Sequence, residues 1–549
     1  MAICFKNKRA KMILPILFAF SFSIQEPVHW FEDEASQRAV NLTWISGDTG
    51  AFNMPEIIGG GAALLDFDND GDLDVYFVQG GHFDSTTPEH NVLLRNDDGM
   101  FVDVTKQSNS GDSGYGMGVA IGDYNNDSFV DIFITNVGKN ILLKNNGDGT
   151  FEDVTDAANV GDTGWGASAA FADFDADGNL DLYAINYLVW EHGLDLECFN
   201  AKGTLDYCSP TNYMAPAKDI LYRNNGDGTF ANMSEAAGIG TRTGTGLGIL
   251  CNDYTGDGKI DIFVANDGMA DQLWQNNGSW SFIDVAAIRG CALDNEGRAK
   301  AGMGVTTDDF DNDGDLDILV CNLFGESDSL YQNEGDYFVD ITARKGIRTS
   351  TRHATRFGLG WVDFNNDGIL DIYEANGRVQ EIGTPLTSDP FAEPNFLLQG
   401  SKTDWKRIEG VKDKKTHTSR AAVFGDIDND GGIDILVVNR DAPAYLLMNI
   451  HPDKENAVTL RVLEEHGRNA LGAVVSATVN GISVNHPVQS AWSYMAGNDP
   501  RVHFGLGEAD KIENVQVRWV DGTTTDFGSF TRGFHTLAQK YSGVEVINR

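Results

Sequence analysis

The nine residues from Asp66 to Asp74 read Asp-Phe-Asp-Asn-Asp-Gly-Asp-Leu-Asp, with an aspartate at every odd position. The pattern returns six more times, starting at Asp123, Asp173, Asp253, Asp309, Asp363 and Asp426, at intervals of 50 to 80 residues. Recurrence at such a period marks a repeated supersecondary unit. The surroundings repeat too. A strand with small residues at its start precedes each loop, as from Gly116 to Gly122, and an apolar strand such as Asp131 to Asn136 follows it. Then come a strand like Asn140 to Asn145, a glycine turn (Asn145 to Gly149) and a strand like Thr150 to Thr155. Four short strands per unit, rich in Val, Ile, Phe and Tyr and broken by Gly, Asn and Asp, predict an all-β fold. Seven such units predict a seven-bladed β-propeller. Small residues suit an innermost strand, because large side chains would collide near the axis.

The last unit supplies three strands, Arg420 to Gly425, Asp434 to Asn439 and Ala444 to Asn449. Its fourth is missing locally, but Trp30 to Ala35 resembles Thr150 to Thr155. Residues 30–35 are therefore expected to form the outer strand of the last blade, closing the ring and removing an open edge. The propeller is placed at residues 28–450. Residues 455–549, with alternating stretches such as Val474 to Val479 and a turn at Asp521-Gly522, predict a small β-rich domain packed on it. His503, beside a glycine-rich turn, reads as structural.

Positions 1, 3, 5 and 9 of each loop carry oxygen-bearing side chains. They are Asp66, Asp68, Asp70 and Asp74; Asp123, Asn125, Asp127 and Asp131; Asp173, Asp175, Asp177 and Asp181; Asp253, Thr255, Asp257 and Asp261. The remaining loops give Asp309, Asp311, Asp313 and Asp317; Asp363, Asn365, Asp367 and Asp371; Asp426, Asp428, Asp430 and Asp434. Carboxylates packed this closely repel each other unless a cation neutralises them. Calcium takes six to eight oxygen ligands, which alternating side chains around a tight turn can supply, whereas magnesium keeps several waters. The variable position 7 suits a backbone carbonyl ligand. Up to seven structural calcium ions are expected, bound more weakly in the second loop, where Ser128 replaces glycine, and in the fourth, where Thr255 stands at position 3. An EF-hand is excluded, because its loop lies between helices.

The Asp-x-Asp-x-Asp-Gly loops resemble FG-GAP/VCBS repeats, also seen in integrin-α propellers. Arg468 to Ala473, His503 to Gly507 and Val517 to Gly522 resemble the ASPIC/UnbV domain. The combination is similar to the cartilage acidic protein 1-like family, over roughly residues 28–545. The resemblance implies export, calcium and extracellular interaction, without a known reaction. The stretch from Cys198 to Cys208, followed by Pro210 and Tyr213, also looks like that family's insertion.

Other features are read from the residues. Lys6, Lys8, Arg9 and Lys11 precede an apolar run from Met12 to Ile24, too short for a membrane span of ~20 residues. This predicts a signal peptide over residues 1–23 and a secreted protein, extracellular or periplasmic, with no transmembrane segment in the mature chain. Cys198 and Cys208 are expected to pair in such a compartment. Cys251 and Cys321 read as buried thiols, and Cys291 is ambiguous. The chain of 549 residues has a formal net charge of −41, which excludes a nucleic-acid partner. Of its 81 acidic residues, 27 sit in the seven loops.

Calcium loops and glycine turns both join odd strands to even ones, so they share one face. The long insertions, Tyr187 to Lys218, Asp284 to Gly302, Asn376 to Pro394 and Glu409 to Ser419, fall on the other. An extracellular protein or glycan ligand is expected there. Candidate contacts are Trp165, Trp190, His192, Tyr207, Tyr213, Arg298, Arg352, His353, Arg356 and Arg378. The chain reads as a binding or adhesion module. The alternative is an enzyme acting on carbohydrate, with Arg352, His353 and Arg356 as first suspects. No nucleophile elbow, His-Glu-x-x-His or Walker loop occurs.

Overall fold

The structure is a computed structural model that describes residues 28–193 and 196–539, together with residue 1 and the backbone of 545–547. The expected leader, beyond its first residue, lies outside the described residues.

Seven antiparallel sheets follow one another along the chain, each ordered from an innermost to an outermost strand. Blade 2 is typical: Tyr115–Gly122, Asp131–Val137, Ile141–Asn145 and Phe151–Asp153. The other innermost strands are Ala62–Leu65, Gly166–Ala172, Gly246–Asn252, Val305–Asp308, Arg356–Val362 and Ser419–Gly425. Glycines in or just before these strands sit where neighbouring blades almost touch, although Tyr115 and Arg356 show that a strand can also begin with a large residue. A Cβ on Gly118 would lie 2.4 Å from the Ala167 carbonyl oxygen, and one on Gly304 would lie 1.9 Å from that of Phe357. Blade 7 takes its outer strand from the other end of the chain. Phe31–Asp33 pairs with Leu447 to Asn449, Phe31 opposite Asn449.

The tail forms two further four-stranded sheets. One contains Ala457–Leu463, Val502–Gly505 and Gly533–Ala538; the other contains Val474–Val479, Ile482–Pro487, Lys511–Arg518 and Thr524–Thr531. Alternation along these strands points Val458, Leu460, Val475, Ala477, Val515 and Val517 into a common core. That core continues into blades 2 and 3 through Tyr124, Phe133 and Leu182.

Between the sheets of the tail, the segment from Gln489 to Asp499 leaves its own domain and enters the propeller axis. Ala496 and Gly497 pair in parallel with Ala62 and Ala63 of blade 1. Ser493 bridges Val305 of blade 5, donates its Oγ to the Ala422 carbonyl and accepts from the Leu359 N–H. Ser168 Oγ of blade 3 accepts from the Met495 N–H, and Ser490 Oγ donates to the Ile121 carbonyl of blade 2. Tyr494 is fully buried, packs edge-on against Phe357 and donates its hydroxyl to the Ile58 carbonyl at 2.8 Å. One peptide therefore meets inner-edge backbone groups of five blades and the Ser168 hydroxyl of a sixth, where unpaired backbone groups would otherwise be buried.

Candidate metal centres and ligand face

Each Asp-rich loop joins an innermost strand to the second strand of its blade. In the third loop, Asp173 accepts from the N–H groups of Asp177 and Gly178 at 3.1 and 2.9 Å. Asp181 accepts from Phe174 N at 3.0 Å and from Asn224 N at 2.8 Å. The fifth loop repeats the set through Asp309 and Asp317. The turn is made by left-handed residues at positions 4 and 6, for example Asn312 (φ 61°) and Gly314 (φ 103°). Asn is among the few non-glycine residues that tolerate this region, and it stands at position 4 in five of the seven loops.

In the first, third, fifth and seventh loops, three carboxylates bring oxygens within 4.8 Å of one another: Asp66, Asp68 and Asp70; Asp173, Asp175 and Asp181; Asp309, Asp311 and Asp317; Asp426, Asp428 and Asp434. Oδ1 of Asp66, Asp68 and Asp428 is buried without a hydrogen-bond partner. Burial and neighbouring carboxylates push Asp74, Asp181 and Asp317 up to about 9, the backbone N–H bonds opposing this only in part. An all-oxygen donor set with unused lone pairs, held in a charge-repelling cluster, fits a hard metal ion.

The second, fourth and sixth loops lack the carboxylate at position 3. Asn125 donates its amide to Asp127 at 2.9 Å, and Asn365 donates to Asp367 at 3.0 Å. In the second and sixth loops the position 3 amide thus partners the position 5 carboxylate, whereas Thr255 Oγ1 of the fourth loop is buried without a partner.

The tail lies on this loop face. Arg461 pairs with Asp66 at 3.2 Å, Lys454 with Asp430, and Arg518 approaches Asp253 at 3.7 Å. Arg468 donates to Asn126 Oδ1 and the Gly178 carbonyl, joining the second and third loops. Asn485 donates to Asp309 at 2.9 Å, and His503 Nε2 meets Asn366 Oδ1 at 2.6 Å. Burial drives the His503 pKa down to about 3, which keeps the ring neutral. All seven loops thus carry a tail contact when Arg501 on Asn429 is included.

On the opposite face, the insertion after blade 3's second strand is closed by a disulfide between Cys198 and Cys208. Cys251, Cys291 and Cys321 are free thiols, the last two buried. The insertion reaches across the channel mouth. Tyr207 is buried there, its hydroxyl meeting Glu56 at 3.2 Å and Arg440 at 2.9 Å. Burial raises Glu56 to about 7. Glu381 of the blade 6 insertion touches Lys202 and donates its N–H to Asp206.

The candidate contacts divide. Trp165 is buried, edge-on to Tyr187 and Trp190. Arg356 is buried against Asp328 at 2.9 Å, whereas Arg352 and His353 are exposed. Arg378 pairs with Glu393 at 3.1 Å and is half-buried, as are Tyr213 and Trp190. His192 is exposed and stacks on Phe83, which stacks on Tyr115. Arg298 pairs with Asp294 and Glu296, and shares a cavity of about 210 Å3 with Arg352.

One repeated device was legible only in hindsight. The asparagine ending the third strand donates its Nδ2 to the carbonyl at position 2 of the preceding blade's loop: Asn145 to Phe67, Asn224 to Tyr124, Asn276 to Phe174, Asn333 to Tyr254, Asn449 to Phe364 and Asn96 to Ile427. The sequence signal was an asparagine at the head of the glycine turn, which reads as turn chemistry alone.

Four-stranded blades around an axis, each with an Asp-rich inner loop, define an FG-GAP-type propeller. The FG-GAP-like repeat family matches residues 66–134, 123–184, 253–320 and 309–374, and the ASPIC and UnbV family matches residues 464–534. The chain carries FG-GAP-like repeats and an ASPIC and UnbV domain. It is similar to cartilage acidic protein 1 of Xenopus tropicalis, 27% identical over 308 residues, and to that of Homo sapiens, 27% identical over 307 residues. These matches cover 53% of this chain and 44% and 43% of the relatives, so less than half of each relative's length is matched. Among solved structures, an Agrocybe aegerita lectin described for recognition of non-reducing terminal N-acetylglucosamine is 16% identical, with a TM-score of 0.39 over 71% of this chain and 94% of that one. YCF48 bound to D1 peptide is 8% identical, with a TM-score of 0.40 over 72% and 93%. Among the described residues, no helix is long and apolar enough to cross a membrane.

Proposed function

We propose that the protein is an exported, calcium-stabilised binding module that takes an extracellular protein or glycan on the face opposite its Asp-rich loops. Calcium at the loops holds the propeller and the tail as one rigid platform. The opposite face, carried on insertions, meets the partner.

The observation that supports this most is the exposure of large apolar side chains on the disulfide-closed insertion. Val189, Phe199, Leu205 and Met214 are 71%, 59%, 42% and 87% exposed, and Leu386 on the adjoining insertion is 61% exposed. Apolar groups left in water on a rigid scaffold mark interaction surfaces. They favour a protein partner over a glycan.

The test is capture of partners from extracellular extract by wild type and by a Phe199→Ser, Met214→Ser variant, in calcium buffer, alongside a glycan array. Partners lost with the variant, at unchanged melting temperature, support the reading. Equal capture by both proteins contradicts it.

A further inference from the structure

The asparagine latch described above joins six of the seven blade pairs. The joint between blades 5 and 6 breaks the pattern. Gly400 ends the third strand of blade 6, where the other blades have Asn, and the Phe310 carbonyl receives no latch. The side chain at position 2 of the loop is buried in every other blade, as Phe67, Tyr124, Phe174, Tyr254, Phe364 and Ile427. Phe310 alone is partly exposed.

Aromatic residues take the place of the latch. Phe310 stacks on Trp361 with ring centroids 5.4 Å apart and lies 5.9 Å from Trp405. Lys345 places its ammonium 4.9 Å from the Phe310 centroid. These residues line the largest cavity described, about 1250 Å3, between the fifth and sixth loops and the tail strands around Ile482 and His503. Trp361 is 3% exposed, and its indole N–H has no acceptor; Nδ1 of His503, on the tail side, also has no partner. The elements that define the cleft thus hold two buried polar atoms whose bonding capacity the protein leaves unused.

We propose that this cleft is a binding site for a neutral oligosaccharide, separate from the opposite face and independent of the function proposed above. The chemistry of the walls selects the class. The partly exposed ring of Phe310, backed by the buried Trp361 and Trp405, suits the C–H face of a sugar ring. Of the eight carboxylates in the lining, Asp309, Asp311, Asp363 and Asp367 belong to the candidate metal loops, Asp308 pairs with His486 and Asp499 with Arg501, which leaves Asp453 and Glu508 to accept from a ligand. Such a lining, near balance in charge once the loops hold metal, suits a neutral, hydroxyl-rich ligand. Trp361 and Lys345 supply donors to ring or glycosidic oxygens. The volume exceeds that of a typical drug-sized pocket, ~300–1000 Å3, and so suits several linked rings.

The full chain in calcium buffer would be applied to an array of neutral glycans, and the best binder titrated by quenching of tryptophan fluorescence. Trp361→Phe removes the unpaired N–H and part of the ring's packing, so the melting temperature should fall by a few degrees while the variant stays folded at the assay temperature, and affinity should fall about tenfold. Phe310→Ala should weaken the same glycan at least as much, while Phe199→Ser on the opposite face leaves it unchanged. The inference is overturned if no neutral glycan quenches at millimolar concentration, if both cleft variants bind as wild type does, or if trilysine binds and glycans do not.

Discussion

The odd and even loops of this propeller share one backbone turn, and position 3 is the side chain that divides them. In the first, third, fifth and seventh, position 3 is Asp, and three carboxylates crowd within 4.8 Å. In the second and sixth it is Asn, which donates to the neighbouring carboxylate, and in the fourth it is Thr255. The turn, the two left-handed residues and the clamp on the last aspartate persist in both sets. The fold of the loop therefore does not require the third carboxylate. The extra charge in the odd loops is a cost that a bound cation would offset, so these are the loops whose carboxylates could hold a metal most tightly.

The largest expected effect breaks both sets at once. Chelation should lower the melting temperature steeply, since each saturated site contributes ~2.7 kcal/mol at a hundredfold excess over Kd. Magnesium should restore it poorly. An unchanged melting curve in excess chelator rules out structural calcium. Next comes exchange of the two loop types. Asp311→Asn gives the fifth loop the pattern of the sixth and should remove one tight equivalent of calcium; Asn125→Asp should add one to the second. Equal stoichiometry in both variants and the wild type would erase the distinction. A third test acts on what the loops share. Asn276→Ala leaves the buried Phe174 and Ile260 carbonyls without their donor and should cost about 1–3 kcal/mol in urea unfolding, in calcium as without it. A loss seen only with calcium would tie the latch to metal instead of to blade packing.

The smallest effect lies away from the loops. Burial raises Asp219 and Asp267 to about 7, and the hydroxyls of Tyr183 and Tyr187 donate to them. A carboxyl raised in the folded state binds its proton more tightly there than in the unfolded chain. Its contribution is complete below the ordinary carboxylate range and is lost as pH rises towards 7. The calcium-saturated protein should therefore lose a few degrees between pH 5 and 7 and then level off. Asp219→Asn should flatten part of that slope, and a slope identical to wild type would exclude Asp219 as its source.

The repeat made the propeller legible because period and turn chemistry are local properties. The clasp by Phe31–Asp33 was legible for the same reason: a blade's outer strand looks alike wherever it stands in the chain. The loops announced their chemistry through spacing alone, but their inequality took geometry. Ser128 seemed to weaken the second loop, yet it adopts the required positive φ of 74°, and position 3 is what sets Asn365 of the sixth loop with the second and fourth. The axial plug was not legible. Nothing between Gln489 and Asp499 marks the segment as one that leaves its own sheets, because its partners are mostly backbone groups, on blades far away in sequence. Burial of Trp165, Tyr207 and Arg356 was hidden likewise, because each packs against segments far away in sequence, as Tyr207 does on Glu56.

The most direct test of the account is a calcium titration of the metal-free chain by calorimetry, with bound metal counted by equilibrium dialysis. The account predicts four tight equivalents per chain, from the odd loops, followed by a weaker phase of up to three. Seven indistinguishable sites, or no tight binding at all, would contradict it.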